Sequence, residues 1–161
     1  QAARLYAWTT TSLYEETNSL RLFYKDPDRM KLPGETMTTD APTTRSIAGR
    51  AVFSGAVWNH PDWRRGILSS LLPRICRTYA HTRWASDFTF SYMSKKLVAA
   101  GVAERVGYRN IEGSMYWRSP AVGNYEGSLI WMDTGYLIQD LRDYLGRLEA
   151  KVDPVVHRRR A

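Results

Sequence analysis

Residues 52–80 read VFSGAVWNHPDWRRGILSSLLPRICRTYA, and the change of periodicity within them carries the architecture. Through Trp58 the run is apolar, β-branched and aromatic, the composition of a strand. His60-Pro61-Asp62 turns the chain, and Arg64-Arg65-Gly66 follows. Leu68, Leu71, Leu72, Ile75, Cys76, Tyr79 and Ala80 then recur at i, i+3, i+4, i+7, i+8, i+11 and i+12, the spacing of one face of a helix. A helix entered directly from a strand offers free backbone N–H groups and the positive end of its dipole, a setting that suits a phosphate. Proline costs about 3 kcal/mol inside a helix but is tolerated in the first turn. Pro73 therefore predicts a start near Ser69 or Ser70, either of which can serve as N-cap. The amides of Gly66 to Ser70 then face outward between Arg64 and Arg65. The competing reading is an ordinary strand-to-helix turn with two solvated arginines.

The 161 residues fit one domain, with 43% apolar and 24% charged residues as in ordinary globular chains. No apolar run approaches the roughly 20 residues that span a bilayer and no charged-then-apolar leader stands at the start, so the expected location is the cytoplasm. The chain begins at Gln1 rather than Met, which suggests that residues ahead of it have been removed. Cys76 is the single cysteine and falls on the apolar helix stripe, so it reads as a core thiol and no intrachain disulfide can form. His60, His81 and His157 are too scattered for a metal site of known spacing. Neither a nucleophile elbow nor a Walker loop is present. The net charge of +7 is concentrated in His157-Arg158-Arg159-Arg160 and in Arg64, Arg65, Arg74, Arg77 and Arg83 around one helix. A basic face of that kind serves nucleic acid, lipid or a polyphosphate cofactor.

Arg4–Tyr14 and Asn18–Tyr24 carry strand composition, with Glu15-Glu16-Thr17 as a turn between them; the alternative is a short helix within Ser12–Tyr24. Asp26–Thr44 is rich in Pro, Thr, Asp and Gly without periodicity and reads as a long loop. Arg45–Trp58 is the central strand and Asp87–Met93 a short one. Ser94 caps an expected helix over Lys95–Val106 that ends at Gly107-Tyr108. Asn110–Arg118 and Tyr125–Met132 form a hairpin. Asp133 or Thr134 caps a last helix with Leu137, Ile138, Leu141, Tyr144, Leu145, Leu148 and Val152 on one face, stopped by Asp153-Pro154. That face covers the sheet or, alternatively, meets a partner or a second copy in a homodimer. The domain thus divides into leading strands (1–25), a loop (26–44), a core (45–132), a C-terminal helix (133–153) and a basic tail (154–161), in a mixed α/β order.

This order, with His60-Pro61-Asp62-Trp63-Arg64, the helix Leu68–Ala80 and VAAGVAERVGY at Val98–Tyr108, resembles the GNAT superfamily of N-acetyltransferases over about Arg45–Met132. The resemblance implies a mixed, mostly antiparallel, twisted α+β sheet with helices on both faces and an extra C-terminal helix. It also implies acetyl-CoA as co-substrate, an amine acceptor, and a first strand and two helices largely missing ahead of Gln1. Acetyl-CoA would be held by Val57, Trp58, Arg64, Arg65, Gly66, Ile67, Leu68, Ser69, Ser70 and Lys96. Counted from Pro61, Arg64 keeps the first position of the family's pyrophosphate loop, while its two small positions fall on Ile67 and Ser69, with Gly66 one residue early. A β-branched Ile67 crowds the close backbone approach that glycine allows. The family's helix Asn and Tyr fall on Lys96 and Ala103, so the usual general acid is absent. Tyr92 and Tyr108 are the other hydroxyls at hand, each also readable as a packed aromatic, and His60 has the pKa range of a base.

Three functions are therefore in play. The first is an acyl-CoA-dependent N-acyltransferase, in which positioning supplies much of the rate. The second is a degenerate relative that binds CoA, or nothing, and acts as an interaction or structural module. The third is nucleic-acid binding through Arg64–Arg83 and the tail, with Trp63 or Trp84 stacking on bases; no recognised motif favours it. No membrane partner is expected.

Overall fold

The β-branched and aromatic runs form one curled six-stranded sheet in a computed structural model that describes all residues but Asn59, Arg64, Arg65, Val122 and 159–161, with backbone alone for Trp63 and 151–158. The strands are β1 (Ala2–Trp8), β2 (Thr36–Thr39), β3 (Gly49–Gly55), β4 (Phe88–Ser94), β5 (Asn110–Ser119) and β6 (Gly123–Asp133). They lie in the order β1-β3-β4-β6-β5-β2, and β3–β4 is the parallel pair in an otherwise antiparallel sheet. The helices are α1 (Leu13–Asn18), α2 (Pro27–Met30), α3 (Leu68–Trp84), α4 (Lys95–Ala99), α5 (Val102–Arg105) and α6 (Thr134–Arg158). This is the mixed, mostly antiparallel α+β arrangement expected from the sequence, and no described helix is long and apolar enough to cross a membrane.

Strand alternation sends successive side chains to opposite faces. Phe90 and Leu129 join Tyr6, Trp8, Leu13, Leu22 and Ile47 on the face that α1 covers. Ile130 and Met132 join Ala103, Tyr108 and Leu137 on the face of α5 and α6.

Four local expectations change. Only one strand leads the chain, because Ser12-x-x-Glu15 is a capping signature: the Ser12 N–H donates to the Glu15 carboxylate at 2.9 Å and α1 starts there. Asn18–Tyr24 then satisfies its backbone locally, Leu22 N–H to Glu16 C=O and Tyr24 N–H to Leu20 C=O, instead of joining the sheet. The loop over Asp26–Thr44 contains β2, whose Met37 and Thr39 point inward while Thr36 and Thr38 point out as it pairs with β5. The helix over Lys95–Val106 is broken in two by Gly101, which has a left-handed φ of 68°. Finally, α6 continues through Asp153-Pro154 to Arg158, since a proline near a helix end removes only one hydrogen bond.

The largest correction concerns α3. It starts at Leu68 with Ile67 at the cap, and the Ser69 and Ser70 hydroxyls donate back to the Gly66 and Ile67 carbonyls at 2.7 and 2.9 Å. Pro73 therefore sits in the second turn. The helix buries Pro73, Arg74, Arg77 and Ala80 and exposes Leu72, Ile75 and Tyr79, so the apolar stripe faces out and two arginines face in. Cys76 is half-buried beside them. Asp140 of α6 is the cause. It is itself buried and receives Arg74 as a two-pronged pair at 2.9 and 3.0 Å, with an Arg77 nitrogen at 3.7 Å. Gly107, at φ 102°, leaves the room these groups occupy, since a Cβ there would overlap the Asp140 carboxylate.

Removing one partner of a buried ion pair strands the other charge, which costs about 3–5 kcal/mol. Asp140→Ala is expected to lose about that much in chemical denaturation, and Gly107→Ala to be destabilised by displacing the same carboxylate.

Candidate functional site

The parallel pair β3–β4 is hydrogen-bonded over only three residue pairs, Ala51–Phe88, Val52–Thr89 and Phe53–Phe90. Beyond them the strands part, although β4 stays paired with β6 along its whole length to Ser94 and β1 stays paired with β3 to Gly55. Ala56, the first residue after β3, has a φ of 51°, a left-handed conformation uncommon outside glycine, and it turns the chain away from β4. Ser54 and Gly55 on one side and Ser91–Ser94 on the other are therefore paired on one edge only, with β1 and β6, and turn the other edge towards the gap. Backbone groups on such an edge call for another partner.

A cavity of about 400 Å³ fills this gap. Ser54, Gly55, Ala56 and Val57 form one wall, Ser91–Ser94 the other, with Ser69, Pro73 and Arg77 of α3, Leu97, Val102, Arg105, Val106, Tyr108 and Ile130 around them. Among the described residues its lining carries two cationic side chains, Arg77 and Arg105, and no carboxylate. The Ser54 Oγ accepts the Gln1 side-chain amide at 3.0 Å. At the closed end Tyr108 is 2% exposed, its ring lies 4.7 Å below the Arg77 guanidinium, and its hydroxyl has no partner among the described residues.

Two further depressions adjoin the cavity. One, of about 380 Å³, shares Ser69 and Arg105 with it and is completed by Gly66, Ile67, Ser70, Tyr144, Arg147 and Leu148. The other, of about 350 Å³, shares Tyr92 and Tyr125 and is lined besides by Phe23, Phe53, Met115, Trp117 and Asn124. A further hollow, of about 910 Å³, runs elsewhere along Asn18–Thr38 and mixes Arg21, Lys25, Arg29 and Lys31 with Asp26, Asp28 and Glu35. Its buried acid Glu35 is already satisfied by Tyr24, Trp117 and the Leu32 N–H.

Of the residues singled out in the sequence, Val57, Ser69, Tyr92 and Tyr108 line the central cavity, and Gly66, Ile67, Ser69 and Ser70 line the basic depression beside it. Arg64 and Arg65 lie outside the described residues. Leu68 is half-buried at the start of α3, and Lys96 is exposed on α4. Trp58 is exposed with its ring edge-to-face against His60, and His60 is itself exposed with Nδ1 3.3 Å from the Asp62 carboxylate. The expectation that all amides from Gly66 to Ser70 stay free is not met. The Ser69 and Ser70 N–H groups bond to the Gly66 and Ile67 carbonyls at 3.2 and 3.1 Å, which is how a tight first turn closes.

Tyr92 lies at the gap, but its hydroxyl is bonded to Thr17 Oγ1 of α1 at 3.1 Å. Burial pushes its phenol up to about 12. Sequence reasoning missed Arg77, Arg105, Ser54 and Ser91. Arg77 was hidden because arginines on a helix read as its solvent face, and the serines because nothing local marks where two strands separate. No group of three or more His, Cys, Asp or Glu side chains among the described residues is placed to hold a metal ion. Compared with known proteins, the chain matches no family model and no curated protein.

An unfolded tyrosine ionises near pH 10. A folded-state value near 12 means that the stability Tyr92 contributes is whole below about pH 10 and is lost as pH rises towards 12. Tyr92→Phe is expected to flatten that alkaline limb of a melting-temperature profile, and to cost about 1–2 kcal/mol at neutral pH by stranding the buried Thr17 hydroxyl.

Proposed function

We propose that the chain is an acyl-CoA-dependent N-acyltransferase, transferring an acetyl group from acetyl-CoA to an amine. The observation that carries this reading is the parting of β3 and β4 around a cavity without acidic residues. An extended arm with its own amide groups, such as pantetheine, can satisfy the open edges of both strands as an added strand would. The resemblance to the GNAT superfamily supports the same assignment, since the cavity lies between the strand and helix that carry it. The joined depression with Arg105, Arg147, Ser69 and the start of α3 supplies positive charge for a diphosphate. The aromatic pocket sharing Tyr92 and Tyr125 gives an acceptor amine a second approach to the gap.

In this reaction the amine lone pair forms an N–C bond to the thioester carbonyl and the C=O π pair moves onto oxygen. When that pair returns, the C–S bond breaks and CoA leaves as a thiolate. The proton lost by nitrogen reaches the thiolate through water, so that the products are an amide and free CoA. No carboxylate lines the cavity to take the proton, and catalysis rests on positioning and on polarising the carbonyl. The proposed site of action is the cytoplasm, where acetyl-CoA is at hand.

A second reading, a CoA-binding module without transfer, is favoured by two placements: the Tyr92 hydroxyl is committed to Thr17, and His60 stands exposed against Asp62. Nucleic-acid binding loses support because Arg74 and Arg77 point into the protein. Titration calorimetry with acetyl-CoA, free CoA and a short DNA duplex separates the three. Micromolar acetyl-CoA binding is expected, with acetyl transfer to amines in a screen distinguishing the first reading from the second. No binding of either CoA species would overturn both. Val57→Glu, at an exposed position of the cavity wall, is expected to weaken acetyl-CoA binding about tenfold with an unchanged melting temperature.

A further inference from the structure

We propose that the Tyr108 hydroxyl is the hydrogen-bond donor to the thioester carbonyl oxygen at the closed end of the β3–β4 cavity, and so holds the oxyanion that forms when the amine adds. The inference rests on the acyl-CoA reading and adds a catalytic residue to it.

The starting point is an unsatisfied group. Folding seldom buries a hydroxyl without a partner, because the lost hydrogen bond to water is not repaid. Tyr108 is 2% exposed, lines the cavity, and its hydroxyl has no protein partner among the described residues. Thr11 Oγ1 and Glu112 Oε1 are also without partners, but neither residue lines the cavity.

Its setting makes Tyr108 a fixed donor. The ring is held between the Arg77 guanidinium, 4.7 Å from its centroid, and the packed cluster of Ala103, Ile130, Met132 and Leu137. Gly107 before it has a φ of 102° and the Tyr108 N–H is bonded to the Ala103 carbonyl at 2.9 Å, so backbone and ring are both located. Burial pushes the phenol above its ordinary value, against the opposing pull of Arg77, and at neutral pH the oxygen keeps its proton. A protonated, immobile phenol has a hydrogen to give; of the side chains that approach it, Arg77 can only donate, and Ser54 makes no hydrogen bond of ordinary geometry with it.

The chemistry selects the acceptor. A thioester carbonyl oxygen is the acceptor whose demand grows as the reaction proceeds, since it gains the π pair when the N–C bond forms and returns it when the C–S bond breaks. A donor already in place when that charge develops stabilises the transition state more than the ground state. Tyr108 keeps its proton throughout, so atoms and charge balance as in the overall transfer. The neighbouring Arg77 guanidinium favours the same negative oxygen.

The test is isotope-edited infrared spectroscopy of [1-13C]acetyl-CoA bound to the full chain and to Tyr108→Phe, paired with calorimetry of acetyl-CoA and CoA. In the wild type the bound thioester carbonyl band is expected below that of a thioester in an apolar solvent. In the variant it is expected to return towards the apolar value, with acetyl-CoA affinity falling about tenfold and CoA affinity unchanged. Since the hydroxyl makes no hydrogen bond of ordinary geometry among the described residues, the variant's melting temperature is expected to equal or exceed that of the wild type. A carbonyl band at the same position in both proteins, or already at the apolar value in the wild type, would overturn the role of Tyr108 and leave the acyl-CoA reading standing. Failure of the wild type to bind either CoA species would overturn both. If Tyr108→Phe does not fold, 3-fluorotyrosine placed at position 108 alone decides: its more acidic hydroxyl is expected to shift the bound carbonyl band further down, and an unmoved band would overturn the role of Tyr108.

Discussion

The rest of the structure hangs on one buried carboxylate. Asp140 of α6 holds Arg74 through two hydrogen bonds and has Arg77 within 3.7 Å, and all three are nearly inaccessible. Arg74 also donates to the carbonyls of Ser70 and Arg105, and Arg77 to that of Val106. The two guanidiniums therefore close the last carbonyls of α5 as well as bridging α3 to α6, a placement that suits cations at a helix C-terminus. Three helices are tied by one network, with Tyr144 and Tyr108 stacked against its cations at 4.2 and 4.7 Å.

That network fixes how α3 is turned, and the turn of α3 fixes the site. With Arg74 and Arg77 inward, Pro73 and Ser69 also face the parted strands, and the cavity gains a wall. Had the apolar stripe of Leu72, Ile75 and Tyr79 been buried instead, the wall beside β3 would be aliphatic and uncharged. The gap itself has a separate origin in Ala56, whose left-handed backbone takes the chain off the sheet while β4 runs on beside β6. Two local choices, one electrostatic and one of backbone, thus combine to leave an opening in mid-sheet.

Most of the architecture was legible in the sequence because periodicity reports it directly. The strands β3 to β6, the long helices α3 and α6 and the turn at Gly107-Tyr108 follow from alternation, helical spacing and glycine. What stayed hidden depended on distant partners. The inward face of α3 was misread because the seven residues of the apolar stripe outvote two arginines in any hydropathy pattern, while Asp140 lies 66 residues from Arg74 in sequence. The edge strand β2 was obscured by the prolines and glycine around it, although Thr36–Thr39 alternates as a half-buried strand should. Of the expected site residues, Val57 and Ser69 reached the cavity by lying beside the strand-to-helix junction, whereas Arg77, Ser54 and Ser91 needed the separation of two strands to matter at all. Tyr108 showed in the sequence as a possible hydroxyl and as a packed aromatic after glycine, and that its hydroxyl is left unsatisfied is a tertiary fact.

The buried network carries two guanidinium charges against one carboxylate. Carbonyl dipoles and aromatic faces reduce the cost of that excess without cancelling it, and in a poorly solvated setting charge acts over a longer range than in water. The adjoining cavity, with Arg77 in its wall and no acid in its lining, is therefore biased towards ligands that carry or develop negative charge. A diphosphate at the entrance and an oxyanion or thiolate within would each draw on that bias. The same arginine that locks α3 against α6 thus sets the sign of the site, so fold and site cannot be separated at Arg77. They can be separated at Tyr108, because its ring belongs to the core while its hydroxyl makes no hydrogen bond of ordinary geometry among the described residues.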